Sequence, residues 1–244
     1  MRALWLQTAV ETKLWLRRRD RFIFSLALPV MFLVFFGALY GNQKSGGHVY
    51  IDYIVPGYAV FAILAVALSN VAANLAGERQ YGILKRLQGT PLRRWMIVMG
   101  KVLAASVLLV GVILVLVVVG ILVYHAQLLG NQLAAILVLA VGILSFAAMG
   151  ISMGGIMKAD SAVAVGSLVY LALSFLGGVF IPLSQFPPGL HRIAEFLPSA
   201  RLVDALRQIW TYGHGLGSTG MDLPIVLAWG VGALLVAGRR FRWE

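Results

Sequence analysis

Read by its hydrophobic and polar positions, the chain is a series of long apolar runs separated by short basic segments. A helix needs about 20 mainly apolar residues to cross the hydrocarbon core of a bilayer. Six runs meet or approach that length: Phe22–Tyr40, Tyr53–Ala76, Val102–Tyr124, Leu133–Met157, Ala162–Ile181 and Leu223–Ala237. The last is short, and Arg239, Arg240 and Arg242 follow it with side chains long enough to reach the interface. The pattern predicts an all-α integral membrane protein of six transmembrane helices, a single domain over residues 1–244. The basic leader of about twenty residues is long for a signal peptide and no small-x-small cleavage site follows the first run, which is therefore expected to remain as a span.

Three segments are not simple spans. Residues 1–21 are too polar to cross a membrane, yet Trp5, Leu6, Ala9, Val10 and Leu16 share a helical face, with Gln7, Glu11 and Arg18 opposite. Lys13 intrudes on the apolar face and Trp15 on the polar one. The reading is a helix lying in the headgroup layer, with a basic tail that only sets topology as the alternative.

Residues 78–90 form a second such segment, closing on Gln88-Gly89-Thr90 and followed by Pro91. Ile83, Leu84 and Leu87 can share one face of a short helix and leave Lys85, Arg86 and Gln88 on the other. Gly89 ends that helix, and Thr90-Pro91 reads as a cap and first position of the next. A compact helix mounted on two spans suits docking of a soluble partner; the alternative is a charged loop that enforces orientation.

Residues 182–221 carry two amphipathic stretches. Leu190, Ile193 and Phe196 make the first stripe, ahead of a break at Leu197-Pro198. Leu202, Ala205, Leu206, Ile209 and Trp210 make the second with 3.6-residue periodicity, Ser199 serving as its cap. Asp204, Arg207, Gln208 and Thr211 are expected on the opposite, polar side. The pair is expected either to re-enter the outer leaflet as an external cap or to lie on its surface, re-entry requiring protein or water to satisfy broken backbone. The cap residues would be Leu202, Leu206, Ile209 and Trp210.

Composition agrees with this reading. The 244 residues are 60% hydrophobic and 12% charged, against about 25% charged in an ordinary soluble domain. The net charge of +11 would point to nucleic acid in a soluble protein; here the basic residues sit between apolar runs, so no nucleic-acid partner is expected. Lys and Arg set membrane orientation. Arg2, Lys13, Arg17, Arg18, Arg19 and Arg21, then Arg79, Lys85, Arg86, Arg93, Arg94 and Lys101, then Lys158 and the three terminal arginines place 16 of 20 on one side of a six-span arrangement. Lys44, Arg192, Arg201 and Arg207 fall on the other. Both termini are therefore expected in the cytoplasm.

The chemistry that is lacking narrows function. No cysteine occurs, so disulfides, thiol catalysis and thiolate metal sites are excluded. His48, His125, His191 and His214 have no metal-site spacing, and no convergent catalytic set is visible around Asp160, Glu195 and Asp204. No catalytic residue and no metal ligand is assigned. No GxxxxGK[ST] loop is present, so ATP is not bound in that manner. The spans are almost free of ionisable groups, which argues against an ion- or proton-coupled carrier. Gly37/Gly41 and Gly150/Gly154 match the small-xxx-small pattern of close helix packing.

At Glu78–Pro91 the sequence resembles the type-2 family of ATP-binding-cassette (ABC) permeases, the type V exporter fold. The family pattern is a Glu-Arg-x-x-Gly-x-Leu-x-x-Leu run ending in Thr-Pro. Glu78, Arg79, Gly82, Leu84, Leu87, Thr90 and Pro91 match it, with Lys85-Arg86 in its variable interior. The basic N-terminal helix, the six spans and the hairpin before the last span extend the likeness over the chain, as does Phe196-Leu197-Pro198 followed by Arg201 and Asp204-Ala205-Leu206-Arg207. The resemblance implies a plasma-membrane half-transporter of a prokaryote that binds no cofactor. A second, identical copy and two cytosolic ATPase subunits holding ATP and Mg would complete it. The coupling segment would comprise Glu78, Arg79, Tyr81, Gly82, Leu84, Lys85, Arg86 and Leu87. The Arg79–Pro91 run is closer to drug- and lipid-type permeases than to polysaccharide or glycoconjugate exporters, which remain the alternative beside a non-ABC carrier. A path lined by Phe32, Phe35, Phe36, Tyr58, Phe61, Tyr170 and Phe175 would suit an amphipathic drug- or lipid-like substrate; each of these aromatics has lipid-facing or packing duty as its alternative.

Overall fold

The computed structural model describes residues 2–17, 19–41, 43–45, 48–90 and 92–241. Arg18, Pro91 and Arg242 lie outside the described residues, as do the side chains of Arg2, Leu16, Arg19, Arg21 and Lys44.

Helix α1 (Arg2–Arg17) leads into α2 (Arg19–Tyr40), which carries the first apolar run. A two-residue antiparallel pair, β1 (Lys44–Ser45) with β2 (His48–Val49), joins it to α3 (Tyr50–Ile63). The second span is one continuous rod, because α3 passes through a π-helical stretch (Leu64–Asn70) into α4 (Val71–Gln80). A short helix α5 (Ile83–Gln88) follows, then α6 (Arg94–Tyr124), α7 (Gln132–Ile156) and α8 (Ala159–Leu176). Beyond them lie α9 (Pro188–Ala194), α10 (Pro198–Trp210) and α11 (Asp222–Arg240).

Among the described residues, five helical rods are long and apolar enough to cross a membrane: Tyr50–Gln80, Arg94–Tyr124, Gln132–Ile156, Ala159–Leu176 and Asp222–Arg240. The first expected span corresponds to α2, whose described apolar portion, Leu26–Tyr40, is shorter. The chain is an all-α integral membrane protein.

The Tyr50–Gln80 rod is the centre of the bundle, with Ile54, Tyr58, Phe61, Leu64, Leu68 and Leu75 all buried. Helices α7 and α8 pack on its π-helical stretch. A Cβ on Gly150 would stand 2.6 Å from both Ala67 O and Leu68 O, and one on Gly154 would stand 2.6 Å from Ala72 O. The Gly150/Gly154 pair is therefore the surface on which α7 meets this rod.

Three expected boundaries move. Helix α6 starts at Arg94, so Thr90 does not cap it. Helix α8 stops at Leu176 although the apolar run continues to Ile181. Gly178 takes φ +69°, and Val179 N donates to Ser174 O, the hydrogen-bonded stop that a left-handed glycine permits. Helix α10 starts at Pro198 with Leu197 as its cap, so Ser199 is not the cap. Proline has no N–H to lose and its φ suits the first helical position; the Ser199 side chain is buried instead against Gly177.

Candidate functional site

The Glu78–Gln88 segment lies at the end of the bundle that also holds α1 and Phe241, just beyond α11. Its two acidic and basic leaders point into the protein. Glu78 pairs with Lys101 of α6, and the same ammonium lies 2.7 Å from Glu11 Oε1 of α1. One buried cation thus ties α1, the end of α4 and the start of α6 together. Arg79 plugs the C-terminal end of α7: its guanidinium donates to the carbonyls of Gly154, Gly155 and Met157. A cation suits the carbonyl-rich, partly negative end of a helix. Gln80 Oε1 accepts from Ala159 N at 3.2 Å, which fixes the start of α8.

Beyond this anchor the chain reverses at Tyr81-Gly82, where Gly82 takes φ +67°. Only glycine adopts that conformation without steric cost. Leu84 is fully buried and Leu87 half-buried, so these two hold α5 to the bundle. Tyr81 is 72% exposed, and Ile83, Lys85 and Arg86 also face outward. Of the eight residues expected in this segment, Glu78, Arg79 and Leu84 position it, while Tyr81, Lys85 and Arg86 present a surface. Trp95, exposed at the start of α6, was not among the expected residues, and neither were Lys101 and Glu11. Lys101 carries a legible signal, a lysine at the very edge of the apolar run Val102–Tyr124.

Helix α1 has the reverse of a soluble amphipathic arrangement. Its polar side, Gln7, Thr8 and Glu11, is buried along α6 together with Trp15. Its apolar side, Trp5, Leu6, Val10 and Leu14, is exposed. Trp15 thus shares the protein-facing side rather than breaking the pattern. An outward apolar stripe on a helix bound by its polar face is what an acyl environment requires.

The expected aromatic residues do converge. Phe32 lies 5.9 Å from Phe61 and 6.4 Å from Tyr58, and Phe61 lies 5.8 Å from Tyr170. Their hub is Phe180, absent from the expected set, at 5.0 Å from Phe175, 5.4 Å from Phe61, 5.6 Å from Phe32 and 6.0 Å from Tyr58. Edge-to-face and tilted pairs at these spacings are favourable. Within one chain they form a packed cluster. Tyr58 and Phe61 are buried, while Phe35 and Phe175 are exposed at its edge. A separate groove of about 570 Å³ opens between α6 and α7, floored by Ile113, Leu139, Ile143 and Trp210, and involves none of them.

The four cap residues are all buried on α10, which packs among α3, α7, α8 and α11. Trp210 Nε1 donates to Gln132 Oε1 at 3.0 Å. The expected polar side is not solvated, however. Arg207 is 2% and Thr211 1% exposed, because carbonyls of neighbouring elements receive them. Thr211 Oγ1 donates to Asp52 O, and Arg207 donates to Tyr53 O and Gly178 O. Asp204 is half-buried, and burial pushes its carboxyl up to about 6 against the pull of Arg207, Arg201 and His191. Among the described residues no group of three or more His, Asp or Glu is placed to hold a metal ion.

The similarity of this chain to known proteins follows the same architecture. It is 26% identical to the inner membrane transport permease YadH of Escherichia coli (strain K12) over 229 residues, covering 89% of this chain and 86% of YadH. It is 23% identical to YvfS of Bacillus subtilis (strain 168) over 230 residues, 94% of this chain and 93% of YvfS. A stretch of 206 residues is 28% identical to ABC transporter G family member 20 of Dictyostelium discoideum, 82% of this chain but 27% of that protein. The profile of the family described as ABC-2 type transporter matches residues 2–210. With that match spanning the α1 anchor, the Glu78–Gln88 segment and the α10 cap, the chain belongs to the ABC-2 type transporter family.

Proposed function

We propose that this chain is the permease subunit of an ATP-driven exporter, with six spans, both termini in the cytoplasm, and Tyr81–Gln88 as its coupling helix. The observation that carries the reading is the mounting of that helix. Glu78 and Arg79 lock its stem to α6, α1 and α7, while Tyr81, Ile83, Lys85 and Arg86 are left outward. A rigid stem with an apolar and basic tip is suited to receive force from a soluble subunit.

In this reading two copies of the chain pair, and each engages one cytosolic ABC ATPase that holds ATP and Mg. The chain itself supplies no hydrolytic step. The substrate is an amphipathic drug-, lipid- or glycolipid-like molecule, and the half-exposed edge of the aromatic cluster at Phe35 and Phe175 supports that class. Helix α10 closes the outward end of the path.

A photo-crosslinking group on a Tyr81→Cys variant tests the assignment, because the chain has no other thiol. In membranes it should capture a cassette ATPase identifiable by mass spectrometry. Capture of lipid alone, with no ATPase adduct, would contradict it.

A further inference from the structure

Arg207 is a buried cation at the outward end of the bundle, and its contacts lead to the centre of the aromatic cluster. Its Nη2 donates to Gly178 O at 2.8 Å and its Nε to Tyr53 O at 3.3 Å. The guanidinium carbon stands 3.5 Å from the centroid of the Tyr53 ring. One side chain of α10 therefore holds both the first turn of α3 and the segment that follows α8. Gly178 lies just beyond the C-terminal end of α8, where carbonyls carry partial negative charge, so a cation is favoured there.

The held segment is the one that carries the hub. Gly178 is followed by Val179, fully buried, and then by Phe180. Val179 is pressed onto the second span at Gly57, where any Cβ would stand 2.8 Å from Val179 O and 3.5 Å from Arg207 Nη2. Phe180 in turn meets Phe32, Tyr58, Phe61 and Phe175. The chain from Arg207 to Gly178 to Phe180 is continuous.

We propose that Arg207 is a positioning residue of the outward gate: it pins the Gly177–Ile181 segment against span two and so sets Phe180 as the plug of the aromatic path. This rests on the exporter reading for what the gate serves, but the closure itself is a property of the permease alone. Arginine is needed because a planar fork can face a ring and reach two carbonyls in one geometry, which the point charge of lysine cannot. Opening would require the Gly178 and Tyr53 carbonyls to separate from α10, a local event that need not disturb the rest of the bundle.

Thiol accessibility in sealed membranes tests this without any ATPase measurement. Val179→Cys reports the gate, exposed Ser218→Cys reports an open loop, and Thr219→Cys, 4% exposed, reports a buried site that makes none of the Arg207 hydrogen bonds. With Arg207 intact, an impermeant maleimide should label Val179→Cys far more slowly than Ser218→Cys. Arg207→Met should raise labelling at Val179→Cys by about tenfold or more, as loss of hydrogen bonds to a buried charge predicts, with Thr219→Cys unchanged. Arg207→Lys should fall between. Gly178→Ala, which strains the φ +69° turn whose carbonyl accepts from Arg207, should raise the rate as well and decides the matter if Arg207→Met does not accumulate. An unchanged Val179→Cys rate in these variants, or an equal rise at Thr219→Cys, would overturn the proposal. Because the labelling is read on the permease alone, failure of the Tyr81→Cys variant to capture an ATPase would count against the exporter reading and leave the gate standing.

Discussion

Lys101 Nζ lies 2.7 Å from Glu11 Oε1 and also meets Glu78, so a single buried ammonium joins the membrane-facing helix α1 to the stem of α5. Lys101 and Glu11 are each about 5% exposed, which removes most of the screening a surface pair would feel. The triad makes α1 part of the same rigid unit as the Glu78–Gln88 segment, so displacement of one should carry the other.

Breaking that triad from one side should be costly. Lys101→Met removes the ammonium from the buried Glu11 carboxylate, and removal of one partner from a buried pair costs about 3–5 kcal/mol. Thermal unfolding in detergent should show the loss. The triple variant Lys101→Met, Glu11→Gln, Glu78→Gln should recover most of it.

The Tyr81–Gln88 segment should divide sharply between inward and outward residues. Leu84→Asp places a carboxylate where Leu84 is fully buried and should prevent accumulation of folded protein. Tyr81→Asp, at a position 72% exposed, should leave folding and insertion intact. Expression level and melting temperature of the two variants separate these outcomes.

Asp204 gives helix α10 a dependence on pH. Its carboxyl is raised from 3.8 to about 6, first by burial, with Asp222 adding and Arg207, Arg201 and His191 opposing. The folded state therefore holds this proton more tightly than the unfolded state, and ionising it disfavours folding. Stability should fall as pH rises from about 4 to about 6, by at most about 3 kcal/mol for a shift of this size. Melting temperatures of wild type and Asp204→Asn at pH 4.5 and 7.5 check this; the difference should be smaller in the variant, with Asp222 supplying what remains.

Truncating the cap stripe should destabilise the whole bundle. Leu202 is fully buried, so Leu202→Ala should cost about 2–5 kcal/mol, whereas a substitution at exposed Leu216 should stay within about 0.5 kcal/mol. Parallel thermal unfolding of both variants measures the contrast.

Much of this architecture is legible in the sequence. Long apolar runs declare spans because nothing else explains them, and the stripe Leu202, Leu206, Ile209, Trp210 is buried as its periodicity requires. The matches at Glu78, Arg79 and Gly82 locate the stem and its turn. What stays hidden is direction inside an apolar environment. A rod that is apolar on every side has no periodicity to reveal the π-helical stretch Leu64–Asn70. Polar residues are expected outward, yet Gln7, Glu11, Arg207 and Thr211 are turned inward, since protein partners satisfy them where lipid does not. Phe180 looked like the end of a span, and only the glycine stop at Gly178 makes it the centre of the aromatic cluster.

The most direct test of the exporter reading is ATP hydrolysis that travels with the chain. A tagged copy purified from its native membranes should bring an ATPase activity with it. A Tyr81→Asp, Arg86→Glu variant, changed only on the outward face of the coupling segment, should be recovered in equal amount with most of that activity lost. Absence of co-purifying ATP hydrolysis, or equal activity with both chains, would contradict the account.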